Sequence, residues 1–160
     1  MEEIFSYNSF IKEKIYDKLV KYCTYQDRCH TDVMKKMSEL KTDDKIADEV
    51  LVRLIEEGYL NEERYVRSFI RGKYRISKWG KKKIISELRF KGIAANLINI
   101  CLAEIDEEEY YEILKHLLIV KYSKLVNLKS FEIKNKLKNY AYSRGFELDI
   151  ADSIISEIIE

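Results

Sequence analysis

Ile93-Ala94-Ala95-Asn96-Leu97-Ile98-Asn99-Ile100-Cys101-Leu102 is the stretch that decides the fold. Its apolar pairs, Ile93-Ala94, Leu97-Ile98 and Cys101-Leu102, return every four residues. That spacing draws a stripe two residues wide down one side of an α-helix. A β-strand needs alternation with a period of two, which the stretch lacks.

The same pattern stands at Ile46-Ala47, Val50-Leu51, Leu54-Ile55 and at Ile150-Ala151, Ile154-Ile155, Ile158-Ile159, offset by 47 residues before and 57 after. Periods of this size mark a repeated supersecondary unit that cannot bury its stripe alone. Upstream of each stripe lies a shorter amphipathic segment, at 33–40, 84–90 and 131–142. Before those come further helical stretches at 10–22, 62–73 and 107–122. Each unit therefore reads as three helices. The expected fold is all-α: a tandem array of three three-helix repeats, elongated or curved, over residues 1–60, 61–105 and 106–160. Proline, the usual breaker of helix interiors, is absent, and there are only five glycines. Gly92 and Gly145 fall where the second and third short segments should stop. Asn61 before Glu62-Glu63 and Asp106 before Glu107-Glu108-Glu109 read as N-caps followed by first-turn acids, with Ser130 as a weaker cap. The third unit carries about ten extra residues, which the pattern places around 141–148.

Charge is segregated along this array. Residues 64–92 hold eleven cations and the single acid Glu87, a formal charge of +10, so the remaining chain carries −9 against a net +1. Phe69, Tyr74, Trp79 and Phe90 are interleaved with those cations. A basic and aromatic stretch of this kind can bind phosphates and stack on bases, or dock on an acidic protein surface. The candidate partner- or nucleic-acid-binding residues are Arg67, Arg71, Lys73, Arg75, Lys78, Lys81, Lys82, Lys83, Arg89 and Lys91. Neighbouring acidic units could also answer some of this charge internally. Lys81-Lys82-Lys83 cannot share one helical face, so at least one of them should point to solvent.

No arrangement for catalysis is visible. The phosphate-cradling glycine loops and the H-E-x-x-H zinc pattern are missing, and His30 and His116 have no evident carboxylate partner in sequence. Cys23, Cys29 and His30 could form half a metal site, but no second cysteine–histidine cluster completes it. No metal or cofactor is expected. An odd count of three cysteines argues against a disulfide framework and suits buried free thiols. The longest purely apolar run, 117–120, is four residues, too short to span a bilayer. The expectation is a soluble, cytoplasmic, monomeric, non-enzymatic protein.

Two motifs tie these features to a known family. Gly58-Tyr59-Leu60-Asn61-Glu62-Glu63-Arg64-Tyr65 resembles the RecX signature, in which a Gly-Tyr-Leu is followed by an acidic pair and a basic–aromatic pair. Trp79-Gly80, Ile84, Glu87-Leu88 and Lys91-Gly92-Ile93 then resemble that family's second block. Asn61 departs from the aspartate usual there. The resemblance implies a modulator of the RecA recombinase, most simply an inhibitor, lying in the groove of the protein–DNA filament. DNA would be met directly or through that filament. The residues alone also admit a helical DNA-binding module that uses the central basic unit, or an adaptor with another protein partner. Much of the motif has a packing explanation of its own: Gly80 permits close backbone approach, Trp79 anchors packing, and Ile84 with Leu88 forms a buried stripe.

Overall fold

The computed structural model describes the backbone of residues 2–159 and the side chains of residues 7–159. Among these residues there are nine α-helices and no strand. They are α1 (Glu2–Tyr25), α2 (His30–Glu39), α3 (Asp44–Glu56), α4 (Glu62–Arg75), α5 (Lys81–Phe90), α6 (Ala95–Cys101), α7 (Glu107–Tyr122), α8 (Ser130–Ser143) and α9 (Leu148–Ile159). A 3-10 turn, Leu102–Glu104, extends α6. The all-α repeat expected from periodicity is the fold observed.

Helix starts follow from their caps. The Asn61 side-chain oxygen accepts from the Arg64 backbone N–H at 2.9 Å, and Asp106 does the same for Glu109 at 2.8 Å. Asparagine thus does at 61 the capping that an aspartate would do. At α8 the cap is one residue earlier than expected: Lys129 occupies it, and the Glu132 carboxylate accepts from the Lys129 backbone N–H at 2.9 Å.

The second helix of every triple ends in the same way. The residue after the cap takes a left-handed backbone, with φ of 53° at Lys41, 80° at Gly92 and 87° at Gly145. The next N–H then reaches back into the last turn: Thr42 to Met37 O, Ile93 to Leu88 O and Phe146 to Ala141 O, at 3.1 Å each. This closure satisfies carbonyls that the helix leaves open. It also corrects the reading of the central stripe. Ile93 lies in the turn and Ala94 at the cap of α6, so the helical part of that stripe begins later. In the first stripe Ile55 is exposed, whereas Val50 and Leu54 are buried. The extra length of the third unit is also not at 141–148. The turns 91–94 and 144–147 are equally long, and the surplus lies in longer helices α7, α8 and α9 and a longer α7–α8 connection.

The chain forms two compact units, Met1–Val66 and Arg67–Glu160. The first packs α1, α2 and α3 around Leu19, Val33, Met37, Val50 and Leu54, with Leu60 closing the cluster. Tyr16 lies at its edge, where its hydroxyl donates to Glu57. Burial, with that carboxylate second, pushes the Tyr16 hydroxyl up to about 12.

The second unit joins two repeats across a backbone crossing. Gly80 N–H donates to Arg144 O at 2.8 Å, and Lys82 N–H to Gly145 O at 3.0 Å. A Cβ on Gly80 would lie 2.1 Å from the Gly145 carbonyl carbon, and one on Gly145 would lie 2.3 Å from Lys83 Cβ. Beneath the crossing, Tyr110 and Phe146 are fully buried with ring centroids 5.0 Å apart. The Tyr110 hydroxyl accepts from the Lys81 N–H at 2.9 Å and donates to Glu147 at 2.6 Å. Burial, then the Glu147 carboxylate, holds that hydroxyl protonated far above the ordinary tyrosine range.

Two substitutions test this packing by thermal and urea denaturation. Leu88→Ala, at a fully buried position, should cost about 2–5 kcal/mol. Gly80→Ala forces a backbone shift and should cost at least the roughly 1–3 kcal/mol of ordinary overpacking. Unchanged melting in either variant would contradict the packing described.

Candidate functional site

The basic segment lies on α4, the loop 76–80 and α5. Its cations divide into classes by what answers their charge. Arg67 and Arg71, one turn apart on α4, donate to the two oxygens of Glu104 at 2.9 and 2.7 Å. Arg75, a further turn on, donates through Nε to Glu109 at 2.9 Å, and Tyr74 OH donates to the same carboxylate, also at 2.9 Å. Lys81 Nζ sits 2.6 Å from Glu107. The acids placed by sequence on first-turn duty at α7 therefore also hold the cations of the preceding repeat. Glu109 in particular turns its side chain to Arg75 and Tyr74, while its backbone N–H is capped by Asp106.

Lys73 and Lys83 stand over the Trp79 ring, with Nζ 4.5 and 4.3 Å from its centroid. Lys73 also lies 5.2 Å from the Phe69 ring. Trp79 is half-buried and works as a platform for two ammonium groups. The loop that carries it is firmly held. Trp79 N–H donates to Lys73 O at 3.0 Å, and Arg144 Nη1 donates to Ser77 O at 3.1 Å and Lys78 O at 3.3 Å. Lys78 takes a left-handed φ of 55° within that loop. Arg144, which anchors it, has no signature in sequence.

The remaining candidates are on or beside α5. Lys82 and Arg89 are exposed and have no carboxylate partner among the described residues. Lys91, half-buried, caps the C-terminal end of the helix. Lys82, Ile85, Ser86 and Arg89 line one shallow groove, and Lys82, Lys83 and Ser86 line a second against Tyr142 and Ser143 of α8. The hydroxyl residues Ser86, Tyr142 and Ser143 were not singled out from sequence. Helix spacing sets Ser86 beside the lysines, whereas only the crossing of α5 over the end of α8 brings Tyr142 and Ser143 there.

Among the described residues no group of three or more histidine, cysteine or acidic side chains could hold a metal ion. Cys23, Cys29 and Cys101 are buried and form no disulfide. Burial pushes the Cys23 thiol up, opposed by Arg28 and Arg64. His116 is exposed. No helix among the described residues is long and apolar enough to cross a membrane.

Comparison with known proteins agrees with this architecture. Residues 61–102 match the RecX second three-helix domain, and residues 107–155 match the RecX third three-helix domain. A regulatory protein RecX of Lactobacillus johnsonii is 26% identical over 137 residues, covering 86% of this chain and 51% of the relative. The chain thus spans about half the length of the curated relatives it matches first. A crystal structure of RecX from Lactobacillus salivarius superposes with a TM-score of 0.84 at 26% identity, covering 92% of this chain and 96% of that one. A second crystal structure, of a regulatory protein RecX, gives 0.82 at 23% identity, covering 91% and 73%.

The ion pairs have a pH signature. The Arg71 and Arg67 guanidiniums hold the Glu104 carboxyl below its ordinary range, and Arg75 with Tyr74 does so for Glu109. A carboxyl depressed in the folded state adds stability that is complete above its unfolded pKa. That stability is lost as pH falls from there through the lowered folded value. Glu104→Gln should therefore melt lower than the parent at pH 7, with the gap closing on acidification. A gap that stays constant between pH 7 and pH 3 would exclude this role.

Proposed function

Because the chain belongs to the RecX family, we propose that it modulates RecA recombinase filaments, in the inhibitory direction, by binding the protein–DNA filament during DNA repair and recombination. The observation that carries this reading is the match of two successive three-helix domains of that family, over 61–102 and 107–155. The surface chemistry supports it. A filament offers both protein and phosphodiester surfaces, and this chain presents paired and unpaired cations side by side on one helical scaffold.

The mechanism proposed is occupancy rather than chemistry. A stacked helical repeat offers an extended surface with little ordering cost on binding. Seated on the filament, it would limit filament growth and ATP-driven strand exchange without acting on a bond. The family carries a regulatory name, and the described residues gather no catalytic cluster to set against it. The partner is accordingly a protein–DNA assembly, met by a monomer of this chain in the cytoplasm.

The test is a recombinase ATPase and strand-exchange assay on single-stranded DNA with rising amounts of this protein. Both rates should fall at or below one protein per recombinase protomer. Unchanged rates at saturating protein would overturn the proposal.

A further inference from the structure

We propose that the exposed row Lys82–Ser86–Arg89 on α5, with Tyr142 beside it, is a direct contact site for the phosphodiester backbone of a nucleic-acid strand. The proposal deepens the filament reading by naming a surface that touches DNA itself, and its test runs without recombinase.

Local electrostatics is the first ground. The first turn of α5 reads Lys81-Lys82-Lys83 and contains no acid. Helix N-termini favour negative charge, so three cations there oppose the helix dipole. The fold offsets this in three ways. Backbone N–H groups at the helix start are satisfied by Arg144 O, Gly145 O and the Tyr110 hydroxyl. Lys81 is neutralised by Glu107. Lys83 is placed over Trp79. The Lys82 backbone N–H shares in the first of these, but its side chain has neither a carboxylate nor a ring among the described residues to answer its charge. Arg89, in the last turn where the helix dipole favours a cation, also has no carboxylate partner among the described residues. A position that breaks a local rule without internal compensation is where an external partner is expected.

Geometry is the second ground. Lys82, Ser86 and Arg89 are spaced at i, i+4 and i+7, which puts them on one face of the helix over about 10 Å. Ser86 and Tyr142 add hydroxyl groups to the grooves on either side of that row. Exposed aromatic surface flanks it: Phe90 is 89% exposed and Tyr142 64%. Cations, hydroxyls and open rings together suit a strand carrying phosphates and bases.

Contrast with α4 is the third ground. Arg67, Arg71 and Arg75 form an equally regular row, but Glu104 and Glu109 already occupy their donors. Their charge is largely spent inside the fold. The proposal therefore separates two basic rows that look alike in sequence. Glu87 is the acid that lines the groove on the Tyr142 side.

The experiment measures binding of the full chain to a fluorescein-labelled oligothymidylate by anisotropy, across a range of salt concentrations. The double variant Lys82→Ala/Arg89→Ala is compared with Arg71→Ala/Arg75→Ala, after circular dichroism establishes that both are folded. The first should lower the slope of log affinity against log salt by about 1.4, two phosphate contacts on a single strand. The second should leave that slope nearly unchanged. Equal slopes for the parent and Lys82→Ala/Arg89→Ala would overturn the proposal, and so would salt-independent or absent binding by the parent. Displacement of the parent by polyglutamate as readily as by unlabelled oligonucleotide would also overturn it, in favour of an acidic protein surface. Should DNA binding fail while recombinase ATPase is still inhibited, this site falls and the filament reading stands.

Discussion

Two backbones meet at Gly80 and Gly145 with no room for a side chain between them, and the second compact unit of this protein is organised around that contact. The start of α5 donates to the carbonyls at the end of α8, so two helix termini with opposite needs satisfy each other. The approach requires the absence of a Cβ at both positions. Tyr110 fills the space beneath, linking the α5 backbone to Glu147 through one buried hydroxyl. Helices that belong to two successive repeats become one folded body through this seam, with Phe146 and Ile84 fully buried on either side of it.

Charge follows from the seam. Once the second and third repeats are joined, the acidic start of α7 lies against the cations of α4 and α5. Glu107 and Glu109 then neutralise Lys81 and Arg75, while Glu104 clamps Arg67 and Arg71. Isolated exposed pairs add little stability, but several charges held in one array contribute more. The practical effect is selection. A segment with a formal charge of +10 in sequence presents far less than that to a partner, and Lys82 and Arg89 of α5 are the exposed candidate cations with no carboxylate partner among the described residues.

The first unit solves the same packing problem with different residues. Lys41 takes the left-handed turn that glycine takes in the other two repeats, at φ 53° against 80° and 87°. A lysine there carries strain that glycine avoids, and the closure bonds are nevertheless identical in kind. Repetition is therefore a property of the helix–turn–helix geometry more than of any residue at the turn.

The helical periodicity, the three stripes and the caps at Asn61 and Asp106 were legible in the chain, because each depends on residues within a few helical turns of one another, and the family motif was legible because it is a matter of residue order and spacing along the chain alone. The expected close approach at Gly80 was legible too, although its partner was not. Three things were decided by tertiary structure alone: that Gly145 is that partner, that Arg144 anchors the Trp79 loop, and that four of the ten candidate cations are held by carboxylates inside the fold. The physical reason is range. Helix formation answers to neighbours three and four residues apart. Whether an arginine is free to meet a partner depends on acids some thirty residues away, and only the packed fold brings those within reach.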